Sequence, residues 1–127
     1  MKTMFDGVDS LERAMTFHRE RQSVLAGNVA NVDTPGYRSL DLEEVPQQAG
    51  AEGLAHTDAH HLPEGAPLAG TRLAFDDSPS GPGMDGNTVE LERELAKIDA
   101  NRVRYGTATE LASRRLALLR YAAGDGQ

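Results

Sequence analysis

The stretch Ala26-Gly27-Asn28-Val29-Ala30-Asn31-Val32-Asp33-Thr34-Pro35-Gly36-Tyr37 reads as a helix that runs into a tight turn. Proline fixes φ and glycine tolerates positive φ, so the Pro35-Gly36 pair sets the turn. Thr34 precedes a proline and is pushed out of the helical region, which ends the helix by about Asp33. The small and amide residues 26–31 permit close helix packing and can satisfy the frayed carbonyls. None of these groups is a nucleophile, a metal ligand or a phosphate cradle. The segment is a structural joint.

Upstream, a helix is expected from about Ser10 to Asn31. Ser10 is a candidate N-cap, with Arg13 where a capping box would carry Glu. Val8, Leu11, Met15, His18, Gln22, Leu25, Val29 and Val32 recur in steps of three and four. That spacing is a heptad seam with a polar centre at His18 and Gln22. Downstream, residues 40–86 hold Pro46, Pro63, Pro67, Pro79 and Pro82 and keep no helical period. They read as a flexible arm that orders on contact, with one short strand at Thr71–Phe75 placing Leu73 and Phe75 on one face.

A second long helix is expected from about Thr88 to Ala123. Asn87 and Glu90 form a capping-box pattern at its start, and Gly124 stops it. Leu91, Leu95, Ile98, Arg102, Tyr105, Thr109, Ala112, Leu116 and Leu119 form the second seam. The expected fold is an all-α core, in which the two terminal helices pair as a coiled-coil hairpin and the Pro/Gly-rich middle is an irregular arm. The expected units are 1–39, 40–86 and 87–127, together one domain. Leu11, Met15, Leu25, Val29, Leu95, Ile98, Leu116 and Leu119 are the expected packing residues. Seams with polar breaks are weak alone, so neighbouring chains are expected to bury the remainder. Phe17, Val24, Val89 and Val103 lie off the main seams and suggest contacts beyond one partner.

Composition bounds the function. The 127 residues suffice for one modest domain, with 39% apolar residues, 5% aromatics and no tryptophan. That is a thin stock for a self-sufficient core. A formal charge of −7 without a basic cluster disfavours nucleic acid, whose binding requires cationic surface. The absence of cysteine excludes disulfides and thiolate zinc sites. No apolar run approaches the ~20 residues that span a bilayer. Met1-Lys2-Thr3-Met4-Phe5-Asp6 lacks a signal-peptide core, so any export is expected to need no cleaved signal.

Candidate chemical groups are few. His56, His60 and His61 with Asp58 could share a metal, but the segment is flanked by Gly and Pro and reads better as a solvated loop. Asp41, Glu43 and Glu44, and the pair Asp76-Asp77, are carboxylate dyads by spacing, yet read as solvated surface. No Ser-His-Asp set or phosphate-cradling loop can be assembled. No cofactor, metal or catalytic residue is expected.

The run Asn28–Tyr37 resembles the N-terminal signature of the bacterial flagellar axial proteins, the rod, hook and hook-associated subunits, whose usual form is Asn-Ile/Val-Ala-Asn-x-x-Thr-Pro-Gly-Tyr/Phe. Asp85-Gly86-Asn87-Thr88-Val89-Glu90-Leu91-Glu92-Arg93-Glu94 resembles the segment opening the C-terminal helix of proximal rod subunits, and Arg104-Tyr105 matches a common pair there. The resemblance covers roughly residues 5–42 and 84–120. The chain departs from it at Gly106-Thr107-Ala108-Thr109, where larger residues are usual, and in its polar tail. The resemblance implies a structural subunit of the flagellar rod, not an enzyme. It implies self- and co-assembly with other rod subunits near the export gate and basal body, and a periplasmic place reached by type III export. It also assigns Asn28, Asn31, Thr34, Pro35, Gly36 and Tyr37 to a joint motif, and Asp85, Gly86, Asn87 and Val89 to a helix-start motif. Two other classes remain open on sequence: a soluble helical binding module such as an export chaperone, and a peptidoglycan-trimming hydrolase, which would need a buried carboxylate pocket.

Overall fold

A computed structural model gives the fold and describes residues 6–45 and 70–124. The elements are α1 (Asp6–Ala30), β1 (Leu40–Glu44), β2 (Thr71–Phe75) and α2 (Leu91–Gly124). The described residues are mostly helical, as expected, with one small antiparallel sheet among them.

Helix α1 starts four residues before the expected cap. Asp6 and Asp9 supply negative charge to its first turn, which the macrodipole favours. Ser10 lies inside the helix, and its Oγ donates to the Gly7 carbonyl at 3.0 Å. The helix stops at Ala30, and two successive turns carry the chain to Thr34: Asn31 N donates to Asn28 O and Thr34 N to Asn31 O, both at 3.0 Å. Helix α2 begins at Leu91, three residues after the expected start. Glu90 supplies the first carbonyl, which accepts from Glu94 N at 2.9 Å. The Glu90 side chain takes no part in a capping box; it accepts a hydrogen bond from Ser78 Oγ.

The two strands pair in the register Leu40↔Phe75, Leu42↔Leu73 and Glu44↔Thr71. Strand β2 lies where the sequence placed it. Strand β1 was not expected, and the alternation Leu40-Asp41-Leu42-Glu43 explains it. Leu42 is buried, while Leu73 and Phe75 face solvent. The Arg38 guanidinium stacks 3.8 Å above the Phe75 ring, a cation–π contact on an open surface.

The helices run antiparallel, with His18 against Asn101 and Asn28 against Glu94. The heptad pattern of α2 has three parallel lines. An inner line holds Glu94, Asn101, Ala108 and Arg115; a middle line holds Leu91, Ile98, Tyr105, Ala112 and Leu119; an outer line holds Leu95, Arg102, Thr109 and Leu116. The apolar spacing predicts that the middle and outer lines face α1. In the structure, the buried residues of α2 are Glu94, Asn101, Ala108 and Ala112, so the inner line faces α1 with Ile98, Ala112 and Leu119 of the middle line beside it, while Leu91 and Tyr105 are 38% and 41% exposed. Leu95 and Leu116 are 46% and 48% exposed. At about 100° per residue, inner and outer lines lie one residue apart, so the observed seam is rolled by about 50° from the apolar one. In this roll Glu94 and Asn101 hydrogen-bond to Asn28, His18 and Gln22 of α1. On α1, Leu25 is fully buried, while Leu11, Met15 and Val29 are partly buried.

Candidate functional site

The two motifs singled out in the sequence meet at one place. Asn28 is fully buried on the last turn of α1. Its Nδ2 donates to Leu40 O at 2.7 Å and to Glu94 Oε2 at 2.8 Å. Its Oδ1 accepts from Leu40 N at 3.0 Å and from Tyr37 Oη at 3.3 Å. One amide thus ties the end of α1 to β1, to the turn and to α2, and uses its full hydrogen-bonding capacity.

Asn87 makes the reciprocal tie. Its Nδ2 lies within reach of three carbonyls beyond the end of α1: Asn31 O at 3.0 Å, Val32 O at 2.9 Å and Thr34 O at 2.8 Å. Its Oδ1 accepts from Val89 N at 2.7 Å, which folds the chain toward α2. Helix ends leave carbonyls without intrahelical donors, and here another segment's side chain supplies the donor. The backbones also join: Gly36 N donates to Asp85 O at 2.9 Å, and Thr88 N to Tyr37 O at 3.0 Å. Gly36 and Gly86 have φ of 70° and 78°, a region costly for residues with a β-carbon. A β-carbon on Gly86 would sit 3.6 Å from the Gly36 Cα, so the two turns lie back to back.

Around this joint lies a polar framework. Glu94 is 1% exposed, and Lys97 Nζ donates to its Oε1 at 2.8 Å. Lys97 also donates to Asp76, as does Arg93 Nη2 at 2.6 Å. Burial alone would push the Asp76 carboxyl up; hydrogen bonds from Lys97 and Arg93, with their charges, outweigh it and hold its pKa below the usual value. Arg21 donates two hydrogen bonds to Asp41, each at 2.7 Å, with side chains only 17% and 13% exposed. The root of each strand is thereby ionically tied to a helix, β1 to α1 and β2 to α2. Further along, Asn101 Nδ2 donates to His18 O at 2.7 Å and to Gln22 Oε1 at 3.0 Å. His18 Nδ1 lies 2.8 Å from Asn101 Oδ1; an amide oxygen only accepts, so Nδ1 carries the hydrogen.

The joint therefore gathers Asn28, Asn31, Thr34, Gly36 and Tyr37 with Asp85, Gly86, Asn87 and Val89. Pro35 is exposed at the turn. Glu94, Leu40 and Asn101 belong to the same framework and were not singled out in the sequence. A signal existed for two of them: Glu94 and Asn101 are polar residues one heptad apart on α2. Asp41 and Asp76, expected as solvated surface, are in part-buried ion pairs. Both border an open groove of about 600 Å3, where Arg21 and Arg104 stand among the carboxylates. The His56, His60, His61 and Asp58 cluster lies outside the described residues. Among the described residues, no three His, Cys, Asp or Glu side chains are placed to hold a metal, and no helix is long and apolar enough to cross a membrane.

The joint is a scaffold with no reactive group at its centre, and comparison with known proteins agrees. The model of the family "Flagella basal body rod protein" matches residues 9–38, the second half of α1 and the turn among them. The flagellar basal body rod protein FlgB of Cereibacter sphaeroides is 34% identical over 108 residues, spanning 83% of this chain and 84% of that one. FlgB of Salmonella typhimurium is 31% identical over 115 residues, spanning 77% and 83%. FlgB of Escherichia coli K12 is 34% identical over 118 residues, with the same two shares. The chain belongs to the FlgB family of flagellar basal body rod proteins, a family named for a structural component and not for a catalyst.

Proposed function

We propose that the chain adds to the axial shaft of the rod as a proximal subunit, self- and co-assembling through its helix pair and passing torque along it. The observation that carries this reading is the half-exposed outer line of α2. Leu95 and Leu116 stand at heptad spacing beside the α1 seam, and Leu111, Leu118 and Tyr121 are 50%, 66% and 70% exposed toward the helix's far end. Apolar surface of this extent, apolar on more than one side of a helix, fits burial by a neighbour. Heterologous contacts of this kind propagate a helical array rather than close a ring. The joint supports the torque reading, because it holds both helices and the sheet as one unit through buried polar ties.

Addition is coupled to ordering: helices with a thin apolar seam gain stability as each neighbour covers an exposed line. A helix pair with so thin an apolar seam also suits passage through a narrow type III export channel to a periplasmic shaft, beside other rod subunits and the export gate. The test is Leu116→Asp on the outer line. The substitution is expected to abolish rod formation and motility while the purified chain remains soluble and keeps the helical signal of the dilute, unassembled chain. Normal rods in cells carrying it would overturn the assignment of the outer line to assembly.

A further inference from the structure

We infer that the buried polar layers set the roll of α2 about its own axis, and that Asn101 and Glu94 are its positioning residues. The apolar pattern alone favours a different roll. The outer line carries two leucines, where the inner line carries Glu94, Asn101, Ala108 and Arg115. Burying a carboxylate and an amide in place of leucines is unfavourable unless every polar atom is paired. In this roll they are paired: Asn101 bridges His18 and Gln22, and Glu94 is held by Asn28 across the seam and by Lys97 on its own helix. Among the described residues, no buried side-chain nitrogen or oxygen is left without a partner. A roll of about 50° toward the outer line would leave His18, Gln22 and Asn28 facing leucine and arginine.

The remaining inner positions accept this roll without driving it. Ala108 and Ala112 are buried but small. At the far end, the Arg115 guanidinium lies over Gly7, where a β-carbon would meet it at 3.1 Å. Polar groups inside a helix pair set geometry at the expense of stability, as a buried asparagine does in coiled coils. The consequence is that the leucines of α2 stay outside its own hairpin. That they are thereby reserved for a second subunit rests on the function proposed above; the roll itself does not.

Adjacent thiols read the roll directly, because the chain has no cysteine of its own. Ala108 is 7% exposed on the inner line, and Thr109 follows it on the outer line. In dilute, unassembled chain, Thr109→Cys is expected to react with a maleimide at least tenfold faster than Ala108→Cys. Adding Glu94→Ala with Asn101→Ala is expected to reverse that order with helix content retained, and Asn101→His alone, which can still pair with Gln22, to leave it unreversed. An unreversed order in the double alanine background overturns the inference. Arg102→Leu keeps the test decisive should the double variant lose its helices, since it makes the outer line more apolar and leaves the polar layers intact. Polar control of the roll predicts no change in thiol order there; reversal overturns it. Either outcome is read without assembly, so a failed rod assay and a failed roll assay remain distinct.

Discussion

Replacing Asn28 with alanine removes the one side chain that touches all three parts of the joint. The Leu40 N–H and C=O lose their partners, and the 1%-exposed Glu94 carboxylate keeps only Lys97. Each buried polar group left unpaired costs about 1–3 kcal/mol, and more when charged. Water entering the vacated volume recovers part of this, giving an expected loss of about 3–5 kcal/mol. Against a total of about 5–15 kcal/mol for an ordinary domain, that brings the chain close to unfolding. Asn31→Ala is the internal control. Its Nδ2 donates to Gly27 O at 2.8 Å, on the adjoining last turn of α1, and its Oδ1 accepts only from exposed Thr34, so its loss is about 1 kcal/mol. Asn28→Asp adds a pH signature. It sets a second carboxylate against Glu94 at hydrogen-bonding distance, so the folded state takes up a proton that the unfolded chain lacks near neutrality. Its stability is therefore lowest at neutral pH and recovers as pH falls toward the ordinary carboxylate range near ~4. Urea unfolding followed by far-ultraviolet circular dichroism measures all three. If Asn28→Ala loses no more than Asn31→Ala, about 1 kcal/mol, the joint is not what holds the ends together.

Asp76 gives a second pH test. Its carboxyl is held below the usual 3.8 of the unfolded chain, so its ion pairs contribute fully above that value and are lost as pH falls through the lower folded value. The acid limb of the urea midpoint should flatten in Asp76→Asn, and an identical limb would refute the assignment. The glycines separate by backbone angle. Gly36→Ala and Gly86→Ala, at φ of 70° and 78°, should each cost about 1 kcal/mol or more. Gly106→Ala, inside α2 with open space around its would-be β-carbon, should instead stabilise by about 0.5–1 kcal/mol. Thermal melts of the three variants decide between those signs.

Much of the fold was legible because its signals are local. The Thr34-Pro35-Gly36 stop, the long 3.5-residue periods and the β2 segment all act within a few residues. The hidden features depend on distant partners. Asn87 looks like a helix cap in sequence, and it became a clamp because the carbonyls of Asn31, Val32 and Thr34 arrive beside it. The period of α2 revealed its apolar lines but not its roll, since Glu94 and Asn101 become good seam residues only opposite Asn28, His18 and Gln22. Strand β1 was masked by its charges: Asp41 read as solvated surface until Arg21 was seen to pair with it. The two motifs each stood out alone, and nothing local says that they touch.

The most direct test of the assembly account is sedimentation velocity with circular dichroism on the purified chain at rising concentration, alone and with other rod proteins. The account predicts that mass and helical signal rise together, and that Leu116→Asp prevents both. A monomer or dimer whose mass and helical signal both stay fixed across the range, with and without rod proteins, would contradict it.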